Sequence, residues 1–596
     1  MNYYLQKYRR KILNLRELYS VRIYPILKII FLFNSFLSLG ILIYEYGYSN
    51  FYKSQNIFYI KIIINYFLFY EIINLFLYRN DDSLNIKQYV RRRFFELIVT
   101  FIVLLLMLFE NIIINFTKNF LSWNFSSDYI LLIYLSISQI LILVNNFLHF
   151  SRNISNIKYK KINPSLIFLM SFVFIISLGV ILLASPNAHK KPIHIIDIIF
   201  NIVSATCVTG LATIDIGKDL NLAGQIILLV LIQIGGLGLM TLTSFFSYYL
   251  SGQVSLTNQI VMRDLFSEIS IDKVKNTLKN IALFTFVIES IGSILLYFTL
   301  PNELIPINES KVFYAIFHSI SAFCNAGFSL FSENLYNVSM TSPSSVYIIM
   351  ILIIFGGIGF PTINDLLNKF TNKKHKLSLT TKIVLISNVL LWSTSFIVFL
   401  IFSEIYNMKL NLEEKILHGL FFAITPRTAG FNTLYYNTFP MPLIFFTFLL
   451  MWIGASPVST GGGIKTTTIT IALNHIMNLL RGNRNVNMFN RRIGEETIIR
   501  AYSNVLLSLM TIFIGIFLLS IFEEKDFLKI CFEVVSAYGT VGLSLGITTE
   551  LTNISKVVLS LIMLTGRIGV LSILLAIIPK AKELRYEYPK EYVIVG

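Results

Sequence analysis

The sequence predicts an all-α polytopic membrane protein with four parallel repeats around a pseudo-fourfold axis and four extra N-terminal spans. Three observations lead to this prediction. The chain of 596 residues is 55% hydrophobic and only 14% charged, which excludes an ordinary soluble domain. Long apolar runs recur along its whole length. Four short clusters, each with one central glycine, recur in the C-terminal three quarters.

The apolar runs set the number of predicted spans. A spanning helix needs about 20 apolar residues, and twelve runs approach or exceed that length. They lie near residues 24–47, 57–78, 95–117, 128–150, 165–185, 222–250, 280–300, 344–364, 380–404, 440–475, 500–521 and 552–579. Twelve crossings place both termini on the same side of the membrane.

Basic residues indicate which side that is. One set of alternate loops carries Arg9, Arg10, Lys11, Arg91, Arg92, Arg93, Lys158, Lys160, Lys161, Lys273, Lys275, Lys373, Lys374, Lys376, Arg491, Arg492, Lys580, Lys582 and Arg585. The other set holds lone residues such as Lys53 and Lys118. Basic loops stay cytoplasmic, so both termini are expected inside. The net charge of +17 is explained in this way, and no nucleic-acid partner is expected. The basic start leads into a full-length span, so no cleaved signal peptide is expected.

The glycine clusters reveal an internal repeat. They read TCVTGLA, FCNAGFS, PRTAGFN and YGTVGLS, aligned on Gly210, Gly327, Gly430 and Gly542. A second glycine cluster follows each of them inside the next span, at 234–238, 355–359, 453–457 and 565–569. Recurrence at a period of about a hundred residues predicts four copies of one unit. The predicted segments are an N-terminal extension at 1–160, repeats at 161–256, 270–370, 376–480 and 490–580, and a cytoplasmic tail at 581–596.

The opening part of each outer connection is too short to span. Residues 192–206 would reach about 22 Å as a helix, which fits a re-entrant half-helix that stops midway. Non-helical backbone at that depth must be buried in protein or line water. The negative C-terminal end of the half-helix favours a cation, and glycine lets four backbones approach one axis. The pattern therefore predicts a pseudo-fourfold pore whose carbonyl oxygens form a selectivity filter for a monovalent cation. For the second glycine set, close helix packing is an equal alternative.

The third repeat departs from the others at residues 454–468, GASPVSTGGGIKTTT. Proline and a glycine run cannot continue a straight helix. A mobile loop below the filter that opens or blocks the pore is the favoured interpretation, and a simple packing kink is the alternative. Lys465 in this segment either reaches the cytoplasm or acts as an electrostatic barrier.

Together these motifs resemble the Trk/Ktr/HKT superfamily of potassium transporters. The resemblance rests on the four glycine clusters and on GQIILLVLIQIGGLGLMT (224–241), GGIGFP (356–361), STGGGIKTTT (459–468) and GRIG (566–569). It covers roughly residues 165–596 and is nearest to the membrane subunit of bacterial Ktr-type systems. It implies K⁺ uptake, a homodimer in membrane lipid, and a cytoplasmic RCK-type regulatory ring. Nucleotide (ATP/ADP or NAD) is expected on that ring, with no covalent cofactor on this chain.

The resemblance also assigns residues. It implies that Gly210, Gly327, Gly430 and Gly542 are the filter glycines, with the carbonyls of Thr209, Ala326, Ala429 and Val541 as the next ring. K⁺ at these carbonyls is the only metal expected. Family members with serine at the first glycine tend to move Na⁺, so Gly210 favours K⁺, and Gly210→Ser should weaken that preference. The gate is expected at Gly461, Gly462, Gly463, Lys465 and Arg567.

Several other residues carry expectations. Arg567 lies inside the last span, where a charge marks a functional candidate, and its family counterpart slows permeation. Arg427 is expected to tie down the third filter loop. For Glu289 and Glu533 we expect helix-to-helix hydrogen bonds, with ion coupling as the lesser alternative. Cys207 and Cys324 are expected to pack behind the filter.

Other classes of function fit less well. The histidines are scattered without a catalytic pattern, so an enzyme is not expected. A secondary transporter for another small solute usually has inverted or two-part repeats rather than four parallel ones. The prediction is therefore gated K⁺ uptake driven by membrane potential, with symport of Na⁺ or H⁺ left open. Na⁺-selective or non-selective monovalent cation uptake is the alternative.

Overall fold

The computed structural model describes residues 164–238 and 271–578, apart from positions 308, 373 and 484, together with a few isolated positions elsewhere. The predictions for residues 1–160, 239–256 and 581–596 fall outside these stretches. Within them nearly all of the regular secondary structure is helical.

The same series of helices recurs along the described chain. Long helices are α1 (Pro164–Leu183), α5 (Ile271–Thr299), α10 (Leu379–Ile405) and α14 (Glu495–Phe522). Each leads to a half-helix: α2 (Ile195–Cys207), α6 (Lys311–Phe323), α11 (Leu412–Ile424) and α15 (Phe527–Gly539). After a loop with its central glycine, the chain returns through α4 (Leu222–Leu237), α8 (Pro343–Gly357), α12 (Met441–Trp452) and α16 (Asn553–Ile568), which we call the return helices.

Shorter elements complete the described fold. They are α3 (Ile216–Asp219), α7 (Tyr336–Thr341), α9 (Phe360–Thr371), α13 (Thr466–Leu480), α17 (Val570–Ile577) and an antiparallel hairpin of β1 (Asn487–Met488) and β2 (Arg491–Arg492). Short 3₁₀ turns lie in the connections.

The half-helices are uniform in length, and local sequence explains where they begin. Each has 13 residues, about 20 Å of helix, which is too short to cross a bilayer. In α11 a capping box joins Asn411 and Glu414, and in α15 the Asp526 side chain accepts from the amide of Leu528. These side chains satisfy amides that lack a partner in the first turn.

The predicted spans are only partly reproduced as straight helices. Within the described residues, three helices are long and apolar enough to cross a membrane, and up to five are if each bent pair counts as one span. The stretches predicted as single spans at 344–364 and 552–579 are not straight helices, because the chain bends by 96° between α8 and α9 and between α16 and α17. Gly359 and Gly569 lie at these bends with φ of 95° and 90°, which glycine adopts readily.

The other predicted spans agree to different degrees: α10 and α14 extend over the whole of 380–404 and 500–521, whereas α12 ends well inside the run 440–475. α12 ends at Trp452 because the interruption predicted at 454–468 follows, and α13 then begins at Thr466. α4 ends at Leu237, beside Gly238 with φ of 76°, at the edge of a described stretch.

Packing closes the half-helices into a ring. Each contacts the return helix of the preceding unit: α6 contacts α4, α11 contacts α8, α15 contacts α12, and α2 contacts α16. The last of these contacts joins the beginning of the described core to its end. Many large apolar side chains on α5, α10 and α14 are exposed, including Phe298, Leu390 and Phe513, as expected of helices that face lipid.

Candidate functional site

The four glycine loops meet at the centre of this ring. Gly210, Gly327, Gly430 and Gly542 have φ of 92°, 68°, 77° and 91°, values that side chains disfavour. A methyl group built on Gly210 would lie 2.5 Å from the carbonyl oxygen of Ala326, and one on Gly327 would lie 2.8 Å from that of Ala429. Neither position leaves room for a Cβ atom.

The same contact recurs around the ring. A methyl group on Gly430 would collide with the carbonyl oxygen of Val541, and one on Gly542 with that of Thr209. The residue before each glycine therefore directs its carbonyl oxygen toward the glycine of the preceding loop. The structure brings together all eight residues predicted for the filter: Thr209, Gly210, Ala326, Gly327, Ala429, Gly430, Val541 and Gly542.

Residues in the left-handed backbone conformation turn the chain from each half-helix into its glycine loop. Two residues before each glycine lie Val208, Asn325, Thr428 and Thr540, with φ between 49° and 72°. Such a residue ends an α-helix and redirects the chain. The amides of Thr209, Ala326 and Val541 then bond back to the carbonyls of Ser204, Ser321 and Ser536, at 2.8 to 2.9 Å.

Hydroxyl groups at the half-helix ends hold the glycines, and sequence reasoning missed them. Ser204 and Ser536 each accept from the amide of the glycine six residues later, at 3.1 Å. Ser321 donates to the carbonyl of Phe328 at 2.8 Å, and Thr425 donates to that of Phe431 at 2.5 Å. A Ser-Ala pair six residues before the glycine, in three of the four repeats, was the available signal.

The second set of glycines packs against the half-helix ends. Methyl groups on Gly235, Gly356 and Gly566 would collide with the carbonyl oxygens of Thr206, Phe323 and Tyr538, each four residues before its loop glycine. This contact supports the packing interpretation of these glycines.

The gate segment, residues 454–468, lies against these same half-helix ends. The amide of Gly462 donates to the hydroxyl of Thr540 at 3.1 Å, and the Thr460 hydroxyl donates to the carbonyl of Phe323 at 3.2 Å. A methyl group on Gly461 would collide with the hydroxyl of Thr428. The segment therefore contacts three of the four half-helix ends.

Neighbouring helices hold the gate segment in place. The amide of Gly463 donates to the carbonyl of Gly566 at 3.3 Å, and the amide of Phe360 donates to that of Val458 at 3.1 Å. Asn388 on α10 donates to the Ser456 hydroxyl at 3.1 Å. Nearly all of the segment between Gly454 and Gly462 is buried or half-buried.

Two cations lie beside the gate segment. The ammonium of Lys465 donates to the carbonyl of Gly461 at 2.7 Å, so it turns back on its own loop. The guanidinium of Arg567 donates to the carbonyls of Thr460 and Gly235, and thereby links the gate segment to the first return helix. Five gate residues were predicted, and all five lie at this junction: Gly461, Gly462, Gly463, Lys465 and Arg567.

The remaining predicted residues have mixed outcomes. Arg427 donates to the carbonyl of Gly454 at 3.2 Å, which ties the third loop to the start of the gate segment. Glu289 accepts from Gln233 of the first return helix at 3.1 Å, the expected helix-to-helix hydrogen bond. Glu533 instead accepts from Ser544 and Thr548 in the connection beyond its own glycine, so the hydrogen bonds of this residue differ from the expected bond between two long helices.

The two cysteines behind the loops are both buried, but they differ. Cys207 belongs to an apolar cluster. Cys324 belongs to another apolar cluster, as expected, and its thiol also donates to Gln233 at 3.7 Å and to Glu289 at 3.9 Å. An ion pair was also missed: Lys556 of α16 contacts Asp197 of α2 at 2.7 Å where the ring closes.

The chemistry of the ring suits a weakly bound monovalent cation. Its candidate ligands are neutral backbone oxygens, and hard cations bind oxygen. Among the described residues there is no group of three or more His, Cys, Asp or Glu side chains placed to hold a metal ion.

These features define a multi-pass helical membrane protein of the transporter class. The model of the TrkH family, described as cation transport protein, matches residues 134–586. The chain therefore belongs to the TrkH family, and it is a transporter rather than an enzyme.

Named relatives agree with this membership. The Ktr system potassium uptake protein B of Bacillus subtilis (strain 168) is 37% identical over 447 residues, 74% of this chain and 98% of the relative. The protein of the same name from Vibrio alginolyticus is 34% identical over 72% of this chain and 94% of its own length. The potassium/sodium uptake protein NtpJ of Enterococcus hirae is 33% identical over 73% of this chain and 98% of its own length.

A solved structure shares the fold. The potassium transporter TrkH from Vibrio parahaemolyticus matches with a TM-score of 0.59 at 16% identity, over 82% of this chain and 98% of that chain.

Proposed function

We propose that the chain takes up potassium ions across the cytoplasmic membrane through the ring of glycine loops. The observation that carries this proposal is the arrangement of the carbonyls of Thr209, Ala326, Ala429 and Val541, each of which lies against the glycine of the preceding loop. Rings of carbonyl oxygens replace the hydration shell of K⁺ in selectivity filters. Family membership and the potassium uptake names of the relatives support the choice of ion.

The half-helices favour a cation at the same place. Each carries about half a negative charge at its C-terminal end, and all four ends lead directly into the loops. The membrane potential drives uptake: about 100 mV supplies about 2.3 kcal/mol per charge, enough for a roughly fiftyfold gradient. Coupling to Na⁺ or H⁺ is an addition that this mechanism does not require.

The gate segment controls passage in this proposal. It lies against Phe323, Thr428 and Thr540 at the half-helix ends, which supports a block directly below the filter. Arg567 holds it to the first return helix, and Lys465 adds a second positive charge. Displacing the segment opens the path, and the two half-buried cations, Lys465 and Arg567, keep permeation slow.

The larger assembly is proposed on the same basis. Four parallel repeats of two spans form the pore, four further spans precede them, and both termini lie in the cytoplasm of a multi-pass protein in the inner membrane. The Ktr system names of the relatives support assembly with other subunits. We propose a homodimer in membrane lipid, with an RCK-type cytoplasmic ring that binds ATP, ADP or NAD and moves the gate segment.

A second candidate is uptake of Na⁺, or of both ions. The name of the relative from Enterococcus hirae, a potassium/sodium uptake protein, supports it. Gly210 in the first loop favours K⁺ instead. In the Trk/Ktr/HKT superfamily, which the sequence resembles, members that move Na⁺ tend to have serine at this position.

The test is uptake of radioactive rubidium into proteoliposomes at an inside-negative potential. External K⁺ or Na⁺ is added as a competitor at constant pH, and protein-free liposomes provide the background. Competition by K⁺ and not by Na⁺ is the expected result. Equal competition by Na⁺ would favour the second candidate.

If the wild type takes up no rubidium, a deletion variant distinguishes a closed gate from the absence of a cation path. Deletion of residues 459–464 removes the centre of the gate segment and should release uptake if the segment holds the pore shut. If rubidium still fails to enter, the loops are not a cation path.

A further inference from the structure

A second contact recurs behind all four glycine loops, in addition to the bonds made by the hydroxyl groups at the half-helix ends. In the first unit, the Asn201 side chain of α2 donates to the Thr213 hydroxyl at 2.8 Å and accepts from the Thr213 amide at 3.3 Å. Asn201 is fully buried. It therefore ties the half-helix to the chain that leaves the loop.

Histidines make the corresponding contact in the next two units. Nε2 of His318 on α6 lies 3.0 Å from the Ser329 hydroxyl, and Nδ1 of His418 on α11 lies 2.9 Å from the Thr433 hydroxyl. Nδ1 of His318 lies 2.8 Å from the Tyr314 carbonyl. A carbonyl only accepts, so Nδ1 carries the proton and Nε2 accepts from Ser329.

A carboxyl group does the same in the fourth unit. Glu533 on α15 is fully buried, and its Oε1 accepts from the hydroxyls of Ser544 and, at 3.0 Å, Thr548. Its other oxygen has no hydrogen-bond partner within the described residues.

The four contacts share one position. Asn201, His318 and Glu533 lie nine residues before their loop glycines, and His418 lies twelve before. The first hydroxyl partner follows the glycine by two or three residues in every unit. Four different side chains reach the same place and bind the same group, although neither residue type nor spacing is constant.

We propose that these four side chains, the filter braces, position the outer part of the ion path and set its discrimination between K⁺ and Na⁺. This inference rests on the proposed function. A carbonyl ring discriminates only if its strands resist closing around the smaller ion. Each strand leaves its loop without regular secondary structure, so a hydrogen bond to the rigid half-helix is what restrains it.

A brace of this kind needs a hydroxyl group and a buried polar partner, but the partner does not have to be charged. Loss of one brace frees one strand of four, so uptake of ions should continue with poorer discrimination. A single neutral hydrogen bond supplies roughly a two- to tenfold effect, which is the expected fall in the K⁺-over-Na⁺ ratio.

The test uses Thr433, because valine has the same shape without the hydroxyl. Thr433→Val, Thr433→Ser and the wild type are compared in proteoliposomes by competition of K⁺ and Na⁺ against rubidium uptake. Thr447→Val is the matched control, since Thr447 is equally buried in the same unit and its hydroxyl donates to Leu443 of its own helix at 2.8 Å. We expect Thr433→Val to lower the ratio, Thr433→Ser to restore it, and Thr447→Val to retain it.

Glu533→Gln separates bracing from charge. Glutamine keeps the acceptor oxygen for Ser544 and Thr548, so this variant should retain most of the ratio, whereas Glu533→Leu should not. An unchanged ratio in Thr433→Val, or a loss in Glu533→Gln as large as in Glu533→Leu, would overturn the proposal. A wild type with no preference for K⁺ would refute the proposed function itself, before any brace is tested.

Discussion

Replacing Gly462 with alanine should displace the gate segment from the half-helix ends. The amide of Gly462 donates to the Thr540 hydroxyl at 3.1 Å. A methyl group at this position would lie 2.9 Å from Cγ2 of Thr540 and would collide with its hydroxyl oxygen. It would also lie 3.2 Å from the carbonyl oxygen of Gly566, which is backbone and cannot rotate away. The alanine variant therefore fits only if the segment moves.

Two costs determine the size of the effect. Overpacking a well-packed site costs about 1–3 kcal/mol, and the weakened hydrogen bond costs about 1 kcal/mol more. The sum of about 2–4 kcal/mol shifts the equilibrium between the seated and displaced segment by roughly 30- to 1,000-fold. If the seated segment blocks the path, uptake without any regulatory subunit should rise strongly.

The assay is rubidium uptake into proteoliposomes that contain the purified chain alone. Gly494→Ala is the control, because a methyl group there meets nothing within 4 Å and its φ is −67°. Thermal unfolding of both variants in detergent shows whether they are folded. A folded Gly462→Ala protein with unchanged or reduced uptake would refute the assignment of this segment as the gate.

Three further predictions concern separate parts of the molecule. Gly210→Ser should lower the K⁺-over-Na⁺ competition ratio, because its φ of 92° and the nearby Ala326 carbonyl leave no unstrained place for a side chain; an unchanged ratio would count against the filter assignment. Lys556→Met should destabilise the protein by about 2 kcal/mol, since it leaves the half-buried carboxylate of Asp197 without its charged partner. Lys556→Met/Asp197→Asn should recover part of this loss in chemical unfolding, and equal stability of all variants would show that the pair is not coupled. Burial would raise the pKa of Asp365 on α9, but hydrogen bonds from Thr381, His375 and Ser378 outweigh it and lower that pKa below 3.8. The ionised Asp365 therefore stabilises the fold above that pH, and this contribution is lost as the pH falls through the lowered pKa. Asp365→Asn should lower the melting temperature at about pH 7 and should have a smaller effect at about pH 3.

The sequence was most informative where geometry permits a single residue type. Gly210, Gly327, Gly430 and Gly542 combine a positive φ with a neighbouring carbonyl that excludes a Cβ, so their recurrence was visible without a structure. The first half-helix was expected at 192–206 and extends from Ile195 to Cys207. Its two ends are set by the capping residues His194 and Val208, which lie close to the predicted limits. Whether the ring binds K⁺ remains a prediction.

Other features left weaker signals. The apolar runs continue past Gly359 and Gly569, and hydrophobicity does not report a change of direction, so two bends of 96° were missed. The filter braces were missed because three residue types make the same contact and His418 is displaced along its helix. Asp197 and Lys556 are 359 residues apart, and only the closed ring brings them together.

Closure of the ring within one chain has a consequence for how such a protein changes over time. In an assembly of four identical subunits, any substitution near the axis is repeated in all four quadrants at once. Here the same contact is made by an asparagine, two histidines and a glutamate (Asn201, His318, His418 and Glu533), and the sequence places the gate segment in the third unit. Duplicated copies joined in one gene can diverge singly, so one quadrant can acquire a new task while the other three preserve the passage.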